Sequence, residues 1–217
     1  MDSDTLIALM VARLVFWIPF VLSLSVHEYA HARAAAFLGD NTAESQGRLT
    51  LDPAAHVDLV GTVLLPLFGV PIGWAKPVIV NPANFRGGGD GRFGMLFTAM
   101  AGPLSNVGIA LACTLVLAII GALAPEFTVG PAGQVLASTI VLNISLALFN
   151  LLPVPPLDGS RIVDWLMPEA FRPAWNWLYA RARLGIGIIL VIPLVVGLDL
   201  GAWSRELAGW LVRLATG

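Results

Sequence analysis

The run His27-Glu28-Tyr29-Ala30-His31 has the residue types and the spacing for metal-assisted hydrolysis. On a helix, positions i and i+4 share one face, so both imidazoles can reach one ion. Glu28 is offset from His27 by about 100° on an ideal turn. From there it can face the metal's open side and act as general base toward water. This geometry is why the HExxH spacing supports zinc hydrolysis, since zinc lowers the pKa of bound water to about 7. The competing reading is a pair of core histidines bonded to neighbouring helices.

A catalytic zinc takes three protein ligands and leaves a position for water. No further histidine follows at the spacing used by soluble zinc proteases; the remaining one is His56. Asp158 is the better third ligand, in Asn150-Leu-Leu-Pro-Val-Pro-Pro-Leu-Asp158-Gly159. It follows directly on an apolar segment. Pro153, Pro155 and Pro156 hold the preceding chain extended, and Gly159 permits a turn after it. The alternative for Asp158 is a cap in an interfacial turn.

Four polar side chains are secondary candidates. The Asn150 amide can donate to an oxyanion or hold substrate backbone, or bond between helices. Asn106 has the same two options, with the structural one favoured. Asn143 reads as packing glue between helices. His56 is a candidate outer-shell or gating group, or an ordinary interfacial histidine. Trp74 and Lys76 either line a substrate path or anchor the chain at the interface. An extended substrate adding to an exposed strand edge there is a plausible recognition mode.

These residues need elements that hold them in an apolar chain. Hydrophobic residues make up 57% of the 217 and charged residues 12%, with mean hydropathy +0.82; soluble domains run at about 25% charged. The chain therefore reads as an integral membrane protein, all-α and polytopic, with about four to six membrane segments. The net charge of −2 argues against a nucleic-acid partner. Cys113 permits no internal disulfide and reads as a small buried apolar residue. Met1-Asp2-Ser3-Asp4 lacks the basic start of a cleavable signal peptide, so the first apolar segment is expected to stay in the mature protein.

The apolar segments are Leu6 to Leu38, Phe93 to Leu123, Pro131 to Leu152 and a shorter Leu184 to Leu198. Residues 202–217 read as an amphipathic or membrane-embedded tail. Residues 39–92 form a loop between the first two core helices. Within it, Gly61, Pro66, Gly69, Pro71 and Gly73 argue against a straight spanning helix, and a re-entrant or β-hairpin element is expected. Lys76 to Pro82 is expected as a short strand, and Gly87-Gly88-Gly89 as a flexible loop. Arg48, Lys76, Arg86 and Arg92 precede the second segment, and Arg161, Arg172, Arg181 and Arg183 follow the third. The loop carrying Glu126 has neither Lys nor Arg. By the positive-inside rule, the basic regions are cytoplasmic and the N-terminus outside. His31 then lies about 10 Å from the inner end of its helix. No segment is large enough to fold alone, so residues 1–217 read as one transmembrane domain.

With these motifs assembled, the chain resembles the site-2 protease family of intramembrane zinc metalloproteases, from about Leu22 to Arg161. HEYAH and NLLPVPPLDG match its two metal-binding signatures in order. Gly47 to Asp58, Gly73-Trp74-Ala75-Lys76-Pro77 and Ala101-Gly102-Pro103-Leu104-Ser105-Asn106 resemble further elements of its compact bacterial members. The resemblance implies one zinc held by His27, His31 and Asp158, with Glu28 as base. It also implies cleavage of transmembrane segments of protein or peptide substrates, near the cytoplasmic face of the cell's inner membrane. The chain has no room for the PDZ-like or nucleotide-sensing domain of larger relatives. The alternatives are a zinc transporter or other non-hydrolytic zinc-binding membrane protein, and a silent relative that binds client helices. Substrate identity and oligomeric state are not legible.

Overall fold

The computed structural model describes residues 2–68, 73–87, 91–182 and 202–216. The expected segment Leu184 to Leu198 lies outside them. So do Gly69 to Ile72, in the middle of the expected re-entrant element, and most of the triple-glycine loop.

Helix α1, Ser3–Phe37, is 35 residues long, about 52 Å at 1.5 Å per residue. Asp2 caps its start by accepting the Thr5 N–H at 2.8 Å. Its end is closed by Gly39 at φ +107°. The Gly39 N–H reaches Ala36 O at 3.0 Å and the Asp40 N–H reaches Ala35 O at 2.9 Å, which satisfies carbonyls that the last turn leaves open. One helix therefore carries the His27 to His31 motif well inside its length.

Helices α2, Arg92–Leu123, and α3, Pro131–Asn150, have mean hydropathies of 2.3 and 1.7. Only 17% of the apolar window of α2 is buried, whereas a core helix of a soluble protein is mostly covered. Leu104, Leu111, Leu115 and Ile119 point outward. Such a surface needs an apolar solvent, and this fits a membrane protein.

Three shorter helices complete the described bundle: α4, Gly159–Leu166; α5, Arg172–Ala180; and α6, Ala202–Thr216. The tail helix α6 is not left alone on a surface. Its Ala208 and Ala215 are buried with Leu117 and Ala110 of α2 and Ile140 and Ile144 of α3, while Trp210 and Leu214 stay exposed.

The loop between α1 and α2 differs from expectation. No residue among those described forms a strand. Asp58 accepts the Val60 and Gly61 N–H groups and starts a π-helical turn, Leu59–Leu64, that runs on into Leu65–Leu67. Residues 73–81 are extended but join no ladder. Their donors go elsewhere: the Lys76 N–H to His56 O at 2.8 Å, the Val78 N–H to Glu28 Oε2 at 2.9 Å, and the Asn81 N–H to Asp40 Oδ2 at 2.7 Å. A side chain of α1, a side chain just past its end and a loop carbonyl take the place of a neighbouring strand. The segment is thus a strap laid along α1, with Ala75 packed on Phe20, Leu24 and Leu142.

Candidate metal centre

His27 and His31 sit on one face of α1, as their spacing requires. Asp158 comes from the turn before α4. It stands at the N-cap position but makes no capping bond; its carboxylate turns to the histidines instead. Gly159 is what lets it do so, because a Cβ there would collide with the backbone of Leu151 and Leu152.

The hydrogen bonds around the histidines fix where their protons are. A carbonyl can only accept, so Thr139 O draws the Asn143 Nδ2 group at 2.9 Å. Asn143 Nδ2 also donates to Ser23 Oγ at 2.9 Å. Asn143 Oδ1 must then face Asn106, and it accepts Asn106 Nδ2 at 2.9 Å. Asn106 Oδ1 is left to face His27 Nδ1 at 2.6 Å, so that nitrogen carries a proton, and in the neutral ring His27 Nε2 is the one with the free lone pair. The same reasoning holds for His31: its Nδ1 faces Thr98 O at 2.8 Å, so in the neutral ring its Nε2 also offers a lone pair.

Two nitrogens and a carboxylate oxygen therefore converge. His27 Nε2 and His31 Nε2 are 3.0 Å apart, and each lies 3.3 Å from Asp158 Oδ2. Oδ2 is buried and has no hydrogen-bond partner. With both rings neutral, three electron-rich atoms at this separation repel one another, and a cation among them relieves that repulsion. Tetrahedral zinc with ligands at about 2.0–2.1 Å sets neighbouring donors about 3.3 Å apart. The donor set fits that ion in type, protonation and spacing.

Helix α2 supplies the back wall. Thr98, Gly102 and Asn106 recur at intervals of four, so they share a face. Thr98 and Asn106 hold the two rings. A Cβ on Gly102 would press on His31 Nε2 and His27 Cε1. The centre is closed on the protein side, with His27 at 4%, His31 at 8% and Glu28 at 9% exposure.

The remaining candidates fall elsewhere. Glu28 gives Oε2 to the strap through the Val78 N–H. Both ends of the Asn106 amide are engaged, Oδ1 by His27 and Nδ2 by Asn143. Asn150 donates to Leu146 O of its own helix at 3.0 Å and makes no contact with the three donors among the described residues. His56 is buried in the loop, with Nε2 on Thr50 O at 2.9 Å and its carbonyl on the strap. It is not part of the donor cluster. Sequence reasoning missed Ser23, Thr98 and Val78, and gave Gly102 no role beyond its place in the Ala101 to Asn106 stretch. Ser23 at i−4 from His27 and Gly102 at i−4 from Asn106 carried a periodic signal; Val78 carried none, since only its backbone takes part.

Comparison with known proteins agrees with this geometry. Residues 120–194 match the model of peptidase family M50. A Bacillus subtilis (strain 168) protein named "Putative zinc metalloprotease YwhC" is 38% identical over 181 residues, covering 82% of this chain and 80% of its own. The Rip2 proteins of Mycolicibacterium smegmatis and Mycobacterium tuberculosis (strain H37Rv), named in the same way, are 29% and 26% identical. They align with 88% and 90% of this chain and 70% and 72% of theirs. No solved structure matches the chain. The similarity to the Bacillus subtilis protein spans about four fifths of both chains, and the chain belongs to peptidase family M50, the site-2 protease family.

Proposed function

We propose that this protein is a zinc metallopeptidase that cuts transmembrane segments of protein substrates within the lipid bilayer. The observation that carries the reading is the convergence of His27 Nε2, His31 Nε2 and Asp158 Oδ2 at 3.0–3.3 Å, on helices whose outer faces are apolar. One zinc ion per chain, held by these three atoms, supplies a Lewis acid that acidifies water and polarises the scissile carbonyl.

The rest is done by the chain. Glu28, one residue from His27, takes a proton from the attacking water and passes it to the leaving amine. Its Oε2 is held by Val78, so proton transfer falls to Oε1, which has no hydrogen-bond partner among the described residues. The Asn143–Asn106 relay holds the His27 ring with Nδ1–H outward and Nε2 toward the metal position. The strap brings extended backbone alongside Glu28, where an unwound substrate has to lie. The basic loops support a multi-pass inner-membrane arrangement, with residues 1–217 as one domain and the centre nearer the cytoplasmic face.

The test is Glu28→Gln against wild type, with a transmembrane-segment substrate in liposomes. Zinc content should stay at one per chain and cleavage should fall by about 10²–10⁴-fold, the usual worth of a general base. Undiminished cleavage by the variant would refute the reading.

A further inference from the structure

An open groove of about 640 Å³ lies beside the strap, lined by Gln46, Arg48, Lys76, Pro77 and Ile79. Two of its five lining residues are cations and none is an acid. Arg48 is only 9% exposed. Its Nη1 donates to Lys76 O at 3.1 Å, and it has no carboxylate partner among the described residues. A largely buried guanidinium without a counter-ion is unfavourable, and its fork is shaped for a planar, two-oxygen acceptor. Its other N–H groups are not sealed in the protein, so they open to the groove. Lys76 lines the same space and is exposed, also without an ion pair among the described residues.

The position of the groove says what occupies it. Pro77 and Ile79 flank Val78, whose N–H is on Glu28. Lys76 is two residues from Val78, about 6–7 Å along an extended chain. A peptide passing Glu28 beside the strap sets a side chain over Arg48 and Lys76 two or three residues from the bond being cut.

We propose that this groove is a specificity site for an acidic side chain of the substrate, two or three residues from the scissile bond. It rests on the peptidase reading above and adds to it a preference that the metal centre cannot generate.

The experiment uses the zinc-loaded full chain in phosphatidylcholine vesicles. Its substrates are transmembrane-segment peptides carrying Glu or Gln at each of three positions on either side of the cut. At one position the kcat/KM ratio of Glu to Gln should be about ten, roughly one charge-assisted hydrogen bond. It should fall toward one in Arg48→Gln and in Lys76→Gln, and Lys76→Glu should turn the preference toward Lys. Lys76→Gln keeps the Arg48 bond to the backbone, so a fold defect in the Arg48 variant does not decide the matter. A flat ratio at every position, or a ratio that survives both variants, would overturn the proposal. So would a flat ratio together with a rate that rises with phosphatidylglycerol only while Arg48 and Lys76 are present, which assigns the groove to a lipid headgroup. Anisotropy of the same peptides on Glu28→Gln separates the two readings. Tighter binding of the Glu peptide without cleavage by wild type removes the peptidase reading and leaves the groove; cleavage without preference does the reverse.

Discussion

Replacing Asn106 by Leu tests whether the polar relay holds the metal or merely glues helices. The substitution removes the acceptor for His27 Nδ1, 2.6 Å away, and the donor to Asn143 Oδ1. His27 is then free to carry its proton on Nε2, the atom that faces the ion. Loss of such a partner weakens metal binding by about 10–100-fold, or about 1.4–2.8 kcal/mol. Separately, the orphaned Asn143 Oδ1, fully buried, costs about 1–3 kcal/mol of stability. Asn106→Asp splits the two effects. It keeps an acceptor for His27 but sets two oxygens against each other at Asn143, so it should hold zinc and lose stability. Asn143→Leu acts one bond further out and should weaken zinc by less than about tenfold. Zinc affinity is read by competition with a chromogenic chelator in detergent, and stability by thermal unfolding of the zinc-free protein. An Asn106→Leu protein that binds zinc within about twofold of wild type, against the 10–100-fold expected, would refute the relay.

Gly102→Ala should cost about 1–3 kcal/mol and displace both rings, since its Cβ enters their space; chelator competition reports the loss of zinc. Asp158→Asn keeps the shape but removes the anionic donor, and elemental analysis should find less than one zinc per chain. The Asp40 carboxyl is pushed up by burial, but hydrogen bonds from Thr42, Asn84 and the Asn81 N–H outweigh that and hold it below its ordinary value. Its contribution is therefore complete above the unfolded-state value near 3.8 and is lost as pH falls through the lower folded value. In acid denaturation followed by proteolysis of the strap, wild type should release residues 73–81 below that range, and Asp40→Asn should release them already at neutral pH.

Much of the centre was legible because it obeys local rules. Spacing alone put His27 and His31 on one helical face, and the proline-rich run with Gly159 marked Asp158 as an acid on a rigid turn. Apolar composition announced long helices, since a chain with so few charges cannot cover a soluble core. The strap was misread as a strand for a physical reason. Residues 76–81 have extended conformation and β-branched residues, but whether extended backbone becomes a sheet depends on who answers its N–H groups. Here the answers come from Glu28, His56 and Asp40, up to fifty residues away. The role of Asn106 was hidden in the same way. Its amide has two chemically different ends, and only the Thr139 carbonyl, acting through Asn143, decides which end meets His27. Residue types and spacing determined the pairing of His27 with His31, because that is a property of one turn of helix; the arrival of Asp158 beside them was left to the tertiary structure. The orientation of the His27 and His31 rings, the cover over Glu28 and the lack of a carboxylate partner for Arg48 among the described residues were decided by tertiary structure, because each depends on polar groups that only the packed helices and the loop bring within 3 Å or so.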